Sequence, residues 1–258
     1  MMLLTIRKPI DRRLYLVLSI LGFVIPLAGW QVVTSANLVG HLFLPSPLRV
    51  WESLVHWEKG TLWVDTYVSV EQVILGFIYA AIFAVPIGLY IGLYKPIEGI
   101  LQAINDFFRY MPASAFIPLV LLWIGIGDSA KVSIIFIGVF FQIIVMTADA
   151  IRNVPQEYLD AMLTMGAKQS EVISMAVVRG AAPDILNLLR VNMGWAWTYL
   201  VVAELVAANR GLGFAIMQAQ KFMDTPRIFA GIFIIGVLGV IFDLAFRLLA
   251  KLLFPWKR

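Results

Sequence analysis

The sequence predicts an all-α integral membrane protein with six transmembrane helices and both termini in the cytoplasm. Of its 258 residues, 61% are hydrophobic and only 14% are charged, too few polar groups to cover a water-facing surface of this size. Six apolar stretches approach the roughly 20 residues that a helix needs to cross a bilayer. Most Lys and Arg residues lie near the ends of these stretches, at those ends that would be on the same face of the membrane.

The six predicted spans fall at about 14–34, 70–94, 112–127, 130–149, 185–207 and 228–253. The third is short and contains Pro112 and Pro118, which predicts a kinked or tilted segment. Six spans place both termini on one face, and that face would carry 14 of the 20 Lys and Arg residues. Because such residues are retained on the cytoplasmic side, the termini are predicted to be cytoplasmic. No linker or repeat interrupts the chain, so 1–258 is predicted to be a single transmembrane domain.

Two short segments between spans are predicted to lie at the outer membrane surface. In 44–58, Ser46 is a candidate N-cap, Pro47 fits the first helical position, and Trp51 suits the interface. A second short helix is expected at 214–222. Each segment could cap the helix bundle or contact a partner.

No catalytic constellation accompanies these spans. The chain has no cysteine and no Gly-rich loop followed by Lys and Ser or Thr, so it is predicted to bind no nucleotide and to supply no ATP energy itself. His41 and His56 lack a regular ligand spacing, and no metal site is predicted. The net charge of +4 is scattered, which indicates membrane topology and not nucleic-acid binding.

Ionisable residues within the predicted spans are few. Asp243 and Arg247 are four residues apart on one helical face and are expected to pair. Glu204, near the outer end of the fifth span, is the acid that most indicates function, since ionisable groups inside a membrane are costly.

The second span carries small residues at every fourth position. Such a stripe lets two helix backbones approach closely, which predicts helix packing and not a pore lining. Either the same chain or a second copy could supply the partner. The stripe consists of Gly76, Ala80, Ala84, Gly88 and Gly92.

The fifth span collects polar and aromatic residues on one face. Asn192, Trp195 and Tyr199 share that face, with Thr198 beside them. Buried Asn and Thr side chains require hydrogen-bond partners, so this face is predicted to look towards protein or a water-filled path. Together with Glu204, these residues form the predicted translocation pathway. Interhelical hydrogen bonding is the alternative.

Between the fourth and fifth spans, residues 150–184 form a polar segment on the predicted cytoplasmic side. Pro155 and Gly166 mark the start and end of a short helix with Glu157 in its first turn. Leu159, Met162 and Leu163 line one face of this helix. Such an apolar stripe outside the bilayer must be covered, either by the chain itself or by the groove of a soluble partner.

Within that segment, Asp160-Ala161-Met162, three residues and Gly166 resemble the Glu-Ala-Ala-xxx-Gly loop of permease subunits of bacterial ATP-binding-cassette importers. Asp160 and Met162 depart from the pattern, and Ala176-Val177-Val178-Arg179 replaces its later Ile-x-Leu-Pro. The flanks are similar to the subgroup serving nitrate, taurine, alkanesulfonates and bicarbonate. They read LPSP at 44–47, RYMPASAFIPLVLLWIGIGDSAK at 109–131, GWAWTYLVVAELVAANRGLGF at 194–214 and, near the C-terminus, DLAFRLLAKLLFPW.

The resemblance implies a type I importer permease of the bacterial plasma (inner) membrane, with a core domain at about 65–250. It implies a small anionic solute, two cytoplasmic ATPase subunits that use ATP and Mg, a second permease copy, and an extracytoplasmic binding protein. The 150–184 loop would then couple the chain to the ATPase. The residues implied in coupling are Glu157, Leu159, Asp160, Ala161, Met162, Leu163, Gly166 and Ala167.

Two other classes of membrane protein are alternatives. An ion-gradient-driven secondary transporter would also lack catalytic motifs, but its class does not explain the cytoplasmic helix. An intramembrane enzyme would need paired acids, a serine with a base, or metal ligands within the bilayer, and the sequence offers none of these sets.

Overall fold

The computed structural model describes residues 11–207 and 209–256, and its regular elements in those ranges are all helical. Arg7, Lys8, Lys257 and Arg258, which contribute to the predicted cytoplasmic charge, lie outside the described residues. In chain order the elements are α1 (Arg12–Ser35), α2 (Pro47–Glu58), α3 (Leu62–Leu93), α4 (Lys95–Arg109), a 3-10 turn (Ala113–Phe116), α5 (Ile117–Ile124), α6 (Asp128–Arg152), α7 (Gln156–Thr164), α8 (Gln169–Glu171), a π-helical stretch (Val172–Val178), α9 (Arg179–Ala207), α10 (Leu212–Lys221) and α11 (Thr225–Leu253).

Five helices of the described chain are long and apolar enough to cross a membrane. They are Arg12–Ser35, Leu62–Leu93, Asp128–Arg152, Gln169–Leu205 and Thr225–Leu253. A sixth crossing exists if α4 and the segment Ala113–Ile124, which are bent by 87° relative to each other, are counted as one broken span. The predicted all-α, multi-span architecture is therefore confirmed.

The third predicted span, 112–127, is not a single membrane-crossing helix. Pro112 adopts an extended conformation, and α5 behind the 3-10 turn has only eight residues. Proline lacks an N–H and disfavours a helical conformation of the residue before it, so α4 ends ahead of Pro112. The sequence prediction missed α4 because polar residues alternate with the apolar ones along the sequence, as in any strongly amphipathic helix, so that it contains no long apolar run.

The chain divides into two compact units. One comprises the chain up to Gly60 together with Gln218–Ala230, and the other comprises Thr61–Met217 and the chain from Gly231 onwards. In the first unit, Trp30 links α1 to the segment before α2, because its Nε1 donates to the Pro45 carbonyl at 2.9 Å. In the same unit, the Arg227 guanidinium lies 4.9 Å from the centre of the Trp57 ring.

The second unit is built on close packing of α3 against α6. The small-residue stripe of α3 faces α6: a Cβ added at Gly88 would lie 2.5 Å from the Ile144 carbonyl oxygen, and one at Gly76 would lie 2.8 Å from Ile135 Cβ. The same test at Gly92 gives 2.7 Å to a side-chain atom of Ile151. Ala80 and Ala84 are fully buried in the same interface core. The hydrophobic effect does not drive helices together in hydrocarbon, so the close approach of the two backbones supplies dispersion contact instead. The partner of the stripe is α6 of the same chain.

Local signals at helix ends are partly confirmed. Ser46 caps α2 by accepting from the Arg49 N–H at 3.4 Å, and Pro47 occupies the first turn, as predicted. The N-cap of α6 is Gly127 and not the following Asp128. Asp128 instead accepts from Gln72 Nε2 at 2.8 Å and pairs with Lys131 at 2.9 Å.

Candidate functional site

A cavity of about 290 Å³ opens beside the break that follows α4. Its walls come from the end of α4, the connection to α5, the middle of α6 and α9. Its polar lining includes Arg109, Gln142, Asn192, Trp195 and Tyr199, and Ile137 belongs to its apolar lining. A membrane-embedded cavity with a few converging polar groups on apolar walls is the usual form of a small-solute site.

Asn192 belongs to the lining of this cavity. Its side chain is fully buried, and Nδ2 donates to the Leu188 carbonyl at 2.9 Å, with Met146 Sδ at 3.2 Å. That bond fixes the orientation of the amide. Oδ1 has no hydrogen-bond partner among the described residues. A buried acceptor without a partner is costly to the folded state.

Of the residues predicted to share the pathway face, the structure brings three together. Asn192, Trp195 and Tyr199 all line the cavity, with Trp195 54% exposed and the Tyr199 ring packed on Gly138. Thr198 is exposed and is not among the lining residues. Glu204 does not line the cavity either and belongs to a different cluster.

Glu204, on α9, is fully buried beside the start of α10. Its Oε1 accepts from the Ser69 hydroxyl at 2.7 Å and its Oε2 accepts from the Gly213 N–H at 2.6 Å. The Leu212 N–H donates to Ser69 Oγ at 2.9 Å, and the Gly211 N–H donates to Asp65 Oδ1 at 3.2 Å. The first N–H groups of a helix have no partner within the helix, and here side chains of α3 and α9 satisfy them.

Gly211 is required by this arrangement. It has a φ of +117°, and a Cβ at this position would lie 2.0 Å from Glu204 Oε1. Any other residue would therefore incur both backbone strain and a clash with the carboxylate.

The segment with the loop pattern forms α7, which begins after Pro155 and is followed by Gly166 at a φ of +86°. The predicted start and end of this helix are confirmed. Leu159 packs against a small core cluster of Ile151, Val177 and Ala181, whereas Leu163 remains 52% exposed. Met165, directly after the helix, is 86% exposed. Of the predicted apolar stripe, Leu159 is thus covered by the chain itself and Leu163 is uncovered.

Comparison with known proteins identifies the family. Residues 84–255 match the family described as "Binding-protein-dependent transport system inner membrane component". The chain belongs to this family of membrane permeases. It is therefore a transport component of the inner membrane.

Similar permeases align over nearly the whole chain. The taurine transport system permease protein TauC of Escherichia coli (strain K12) is 33% identical over 97% of this chain and 92% of its own length. The putative aliphatic sulfonates transport permease protein SsuC of Bacillus subtilis (strain 168) is 32% identical over 92% of this chain and 87% of its own. The bicarbonate transport system permease protein CmpB of Synechococcus elongatus is 29% identical, with 92% and 88% coverage.

A solved permease structure shares the fold. The MetNI methionine ABC transporter in an inward-facing conformation aligns with a TM-score of 0.63 and 17% identity, covering 72% of this chain and 93% of that chain. This confirms the type I importer permease fold predicted from the loop pattern.

The sequence prediction did not identify two residues that line the cavity. Arg109 lines the cavity but was counted with the charges of the cytoplasmic face, and Gln142 lies inside the fourth predicted span. A signal was available for Gln142, since a Gln in an apolar helix needs a polar neighbour. The Asp243–Arg247 pair is confirmed at 2.6 Å, and Arg190 joins it at 3.5 Å from Asp243.

Proposed function

We propose that this permease is the membrane-spanning subunit of an ATP-driven importer for small anionic solutes of the taurine, sulfonate, nitrate or bicarbonate type. Two cytoplasmic ATPase subunits bind ATP and Mg, a binding protein on the other side delivers the solute, and a second copy of the chain completes the pathway. The named relatives, which transport taurine, aliphatic sulfonates and bicarbonate, support the substrate class.

The observation that carries the proposal is the exposed helix α7 on a chain whose sequence contains no nucleotide-binding loop. A transporter of this kind needs an external source of energy, and α7 is a short helix bounded by turns with uncovered apolar side chains. Helices of this form bind in hydrophobic grooves of partners. We assign Glu157, Leu159, Asp160, Ala161, Met162, Leu163, Gly166 and Ala167 to this coupling surface.

The cavity supplies the path. Asn192, Trp195 and Tyr199 form the pathway face in this proposal, and solute passes them as the permease alternates between outward-open and inward-open states. No covalent bond of the solute changes during this cycle.

The test is uptake by the complete complex reconstituted in vesicles. Import is expected to require ATP, the ATPase subunits and the binding protein, and to persist when ion gradients are dissipated. Asn192→Ala and Tyr199→Ala are each expected to reduce uptake by about tenfold while the ATPase subunits still copurify, since each removes one solute contact. Import driven by an ion gradient without the ATPase would show a secondary transporter instead.

A further inference from the structure

Arg152, the last residue of α6, joins that helix to α4. Its guanidinium donates to Gln102 Oε1 at 3.0 Å and pairs with Glu98 Oε1 at 3.2 Å, and both of these residues belong to α4. Within α6 it also pairs with Asp149 Oδ1 at 3.1 Å. The other carboxylate oxygen of Glu98 pairs with Lys95 at 2.8 Å. Arg152 therefore has three polar partners, and two of them are on the neighbouring helix.

Next to this contact, a cavity of about 230 Å³ separates α4 from α6. Beyond the cavity the two helices meet again, where Asn105 Nδ2 donates to the Phe141 carbonyl at 3.2 Å and the Phe108 and Phe141 rings stack at 5.3 Å. Closely packed side chains transmit a displacement from one helix to the next, and a cavity does not. The α6 residues that line the cavity between Phe141 and Arg152 are Ile144, Val145, Ala148 and Asp149.

The same end of α6 is firmly connected to α7. Three residues separate Arg152 from the start of α7. The Val154 N–H donates to the Ile151 carbonyl at 3.2 Å, so this connection is hydrogen-bonded to α6. Val154 and Leu159, the latter on α7, both pack against the core cluster that contains Ile151. A displacement of α7 is therefore carried to Arg152.

From Arg152, α4 leads to the cavity of about 290 Å³ described above. Arg109, the last residue of α4, and Met111, just beyond it, both line that cavity. At 1.5 Å per residue, α4 spans about 16 Å between Glu98 and Arg109. Rigid helices and ion-pair networks carry energetic coupling between distant sites. A shift at the Glu98 end of α4 is thus expected to reach the cavity.

We infer that Arg152 is a positioning residue that transmits the movement of α7 to α4, and through α4 to the larger cavity. This inference rests on the proposed function, because the ATPase subunits must move α7 for Arg152 to have anything to transmit. The cavity between α4 and α6 removes the packing that would otherwise do so over this stretch. Without the contacts of Arg152, α7 and the end of α6 would move while α4 keeps its position.

The test asks whether the cavity end of α4 responds to the state of the ATPase. The natural sequence contains no cysteine, so Met111→Cys places a single thiol in the permease chain at the cavity. The complete permease–ATPase complex in nanodiscs is treated with a fluorescent maleimide, either without nucleotide or after trapping with ATP and vanadate. The labelling rate of the permease chain is expected to differ by at least about fivefold between the two states.

Breaking the contact should remove this response. Arg152→Gln, added to Met111→Cys, is expected to reduce the difference to less than about twofold while the ATPase subunits still copurify. Glu98→Gln attacks the same contact from α4 and is expected to reduce the difference to about threefold or less. Combining Glu98→Gln with Arg152→Gln should cause no further loss, because the pair is already broken.

Arg190→Gln is the matched control. Arg190, on α9, pairs with Asp243 of α11 at 3.5 Å, and its side chain is 28% exposed against 30% for Arg152. This change therefore removes an ion pair between two helices at a similar exposure, but not one that involves α4 or α6. The nucleotide-dependent difference in the labelling of Met111→Cys should remain at least about fivefold.

Each result decides the assignment. An undiminished difference in the Arg152→Gln complex, or an equal loss in Arg190→Gln, overturns the role of Arg152. If Arg152→Gln does not assemble with the ATPase, Glu98→Gln decides, because it leaves α6 and α7 unchanged, and a full response there overturns the contact. Equal labelling of Met111→Cys in both states overturns transmission through α4. That last result leaves the proposed function standing if ATP-dependent uptake is observed, so the two failures are distinguishable.

Discussion

Glu204 shows how a carboxylate is accommodated inside a membrane helix. Three consecutive N–H groups, of Gly211, Leu212 and Gly213, converge on Asp65, Ser69 and Glu204 at the start of α10. Negative side chains complement the positive end of a helix dipole, and the buried N–H groups would otherwise be unsatisfied. The acid thus joins α9 to the start of α10 and to α3.

Replacement of Glu204 by Gln is expected to destabilise the permease by about 2 kcal/mol. The carboxylate accepts from the Ser69 hydroxyl and the Gly213 N–H, whereas the amide nitrogen of Gln would face one of these donors without being able to accept from it. The midpoint of thermal unfolding of the detergent-solubilised protein should fall. Glu71→Gln is the control, since Glu71 is exposed on α3 and makes no such contacts among the described residues. Equal midpoints for Glu204→Gln and wild type would show that these hydrogen bonds contribute nothing to stability.

At the scale of helices, the sequence predicts the helices that contain a long, uninterrupted apolar run. The apolar runs of α1, α3, α6, α9 and α11 exceed the length needed to cross a bilayer, and the structure contains all five. The small-residue stripe of α3 is visible from its spacing, but its partner is not, because spacing does not say which helix comes close.

The helical elements that the sequence did not predict have no long apolar run. Polar residues separate the apolar residues of α4 along the sequence, and the π-helical stretch before α9 leaves no mark in composition. The position of Arg109 depends on the 87° bend, a property of the assembled helices and not of any window of sequence. For the same reason Glu204 and Ser69, 135 residues apart in the chain, could not be paired in advance.

The coupling role proposed for α7 predicts a selective defect. Leu163→Glu places a charge on its uncovered side, and we expect ATPase association to weaken by about tenfold because burying an unpaired carboxylate in an apolar groove is costly. Met175→Glu is a matched control, since Met175 is also 52% exposed but lies outside α7. Copurification of the ATPase subunits measures the difference. Equal association of both variants would place the docking surface elsewhere.

At the scale of the whole molecule, energy coupling depends on the side of the membrane that α7 faces. ATPase subunits in the cytoplasm can engage α7 only if the 150–184 segment is also there, while a binding protein must meet the opposite side. The distribution of Lys and Arg over the two faces predicts this orientation. This prediction of the orientation does not use the loop pattern.

The orientation can be measured directly because the natural sequence contains no cysteine. Lys168→Cys, in the exposed turn between α7 and α8, and Lys59→Cys, at the exposed end of α2, each introduce one thiol. A membrane-impermeant maleimide should label the Lys59→Cys variant in intact cells and the Lys168→Cys variant only after permeabilisation. The unmodified protein, which has no thiol, is the control for background. Labelling of the Lys168→Cys variant in intact cells would put α7 outside the cytoplasm, where no ATPase could reach it.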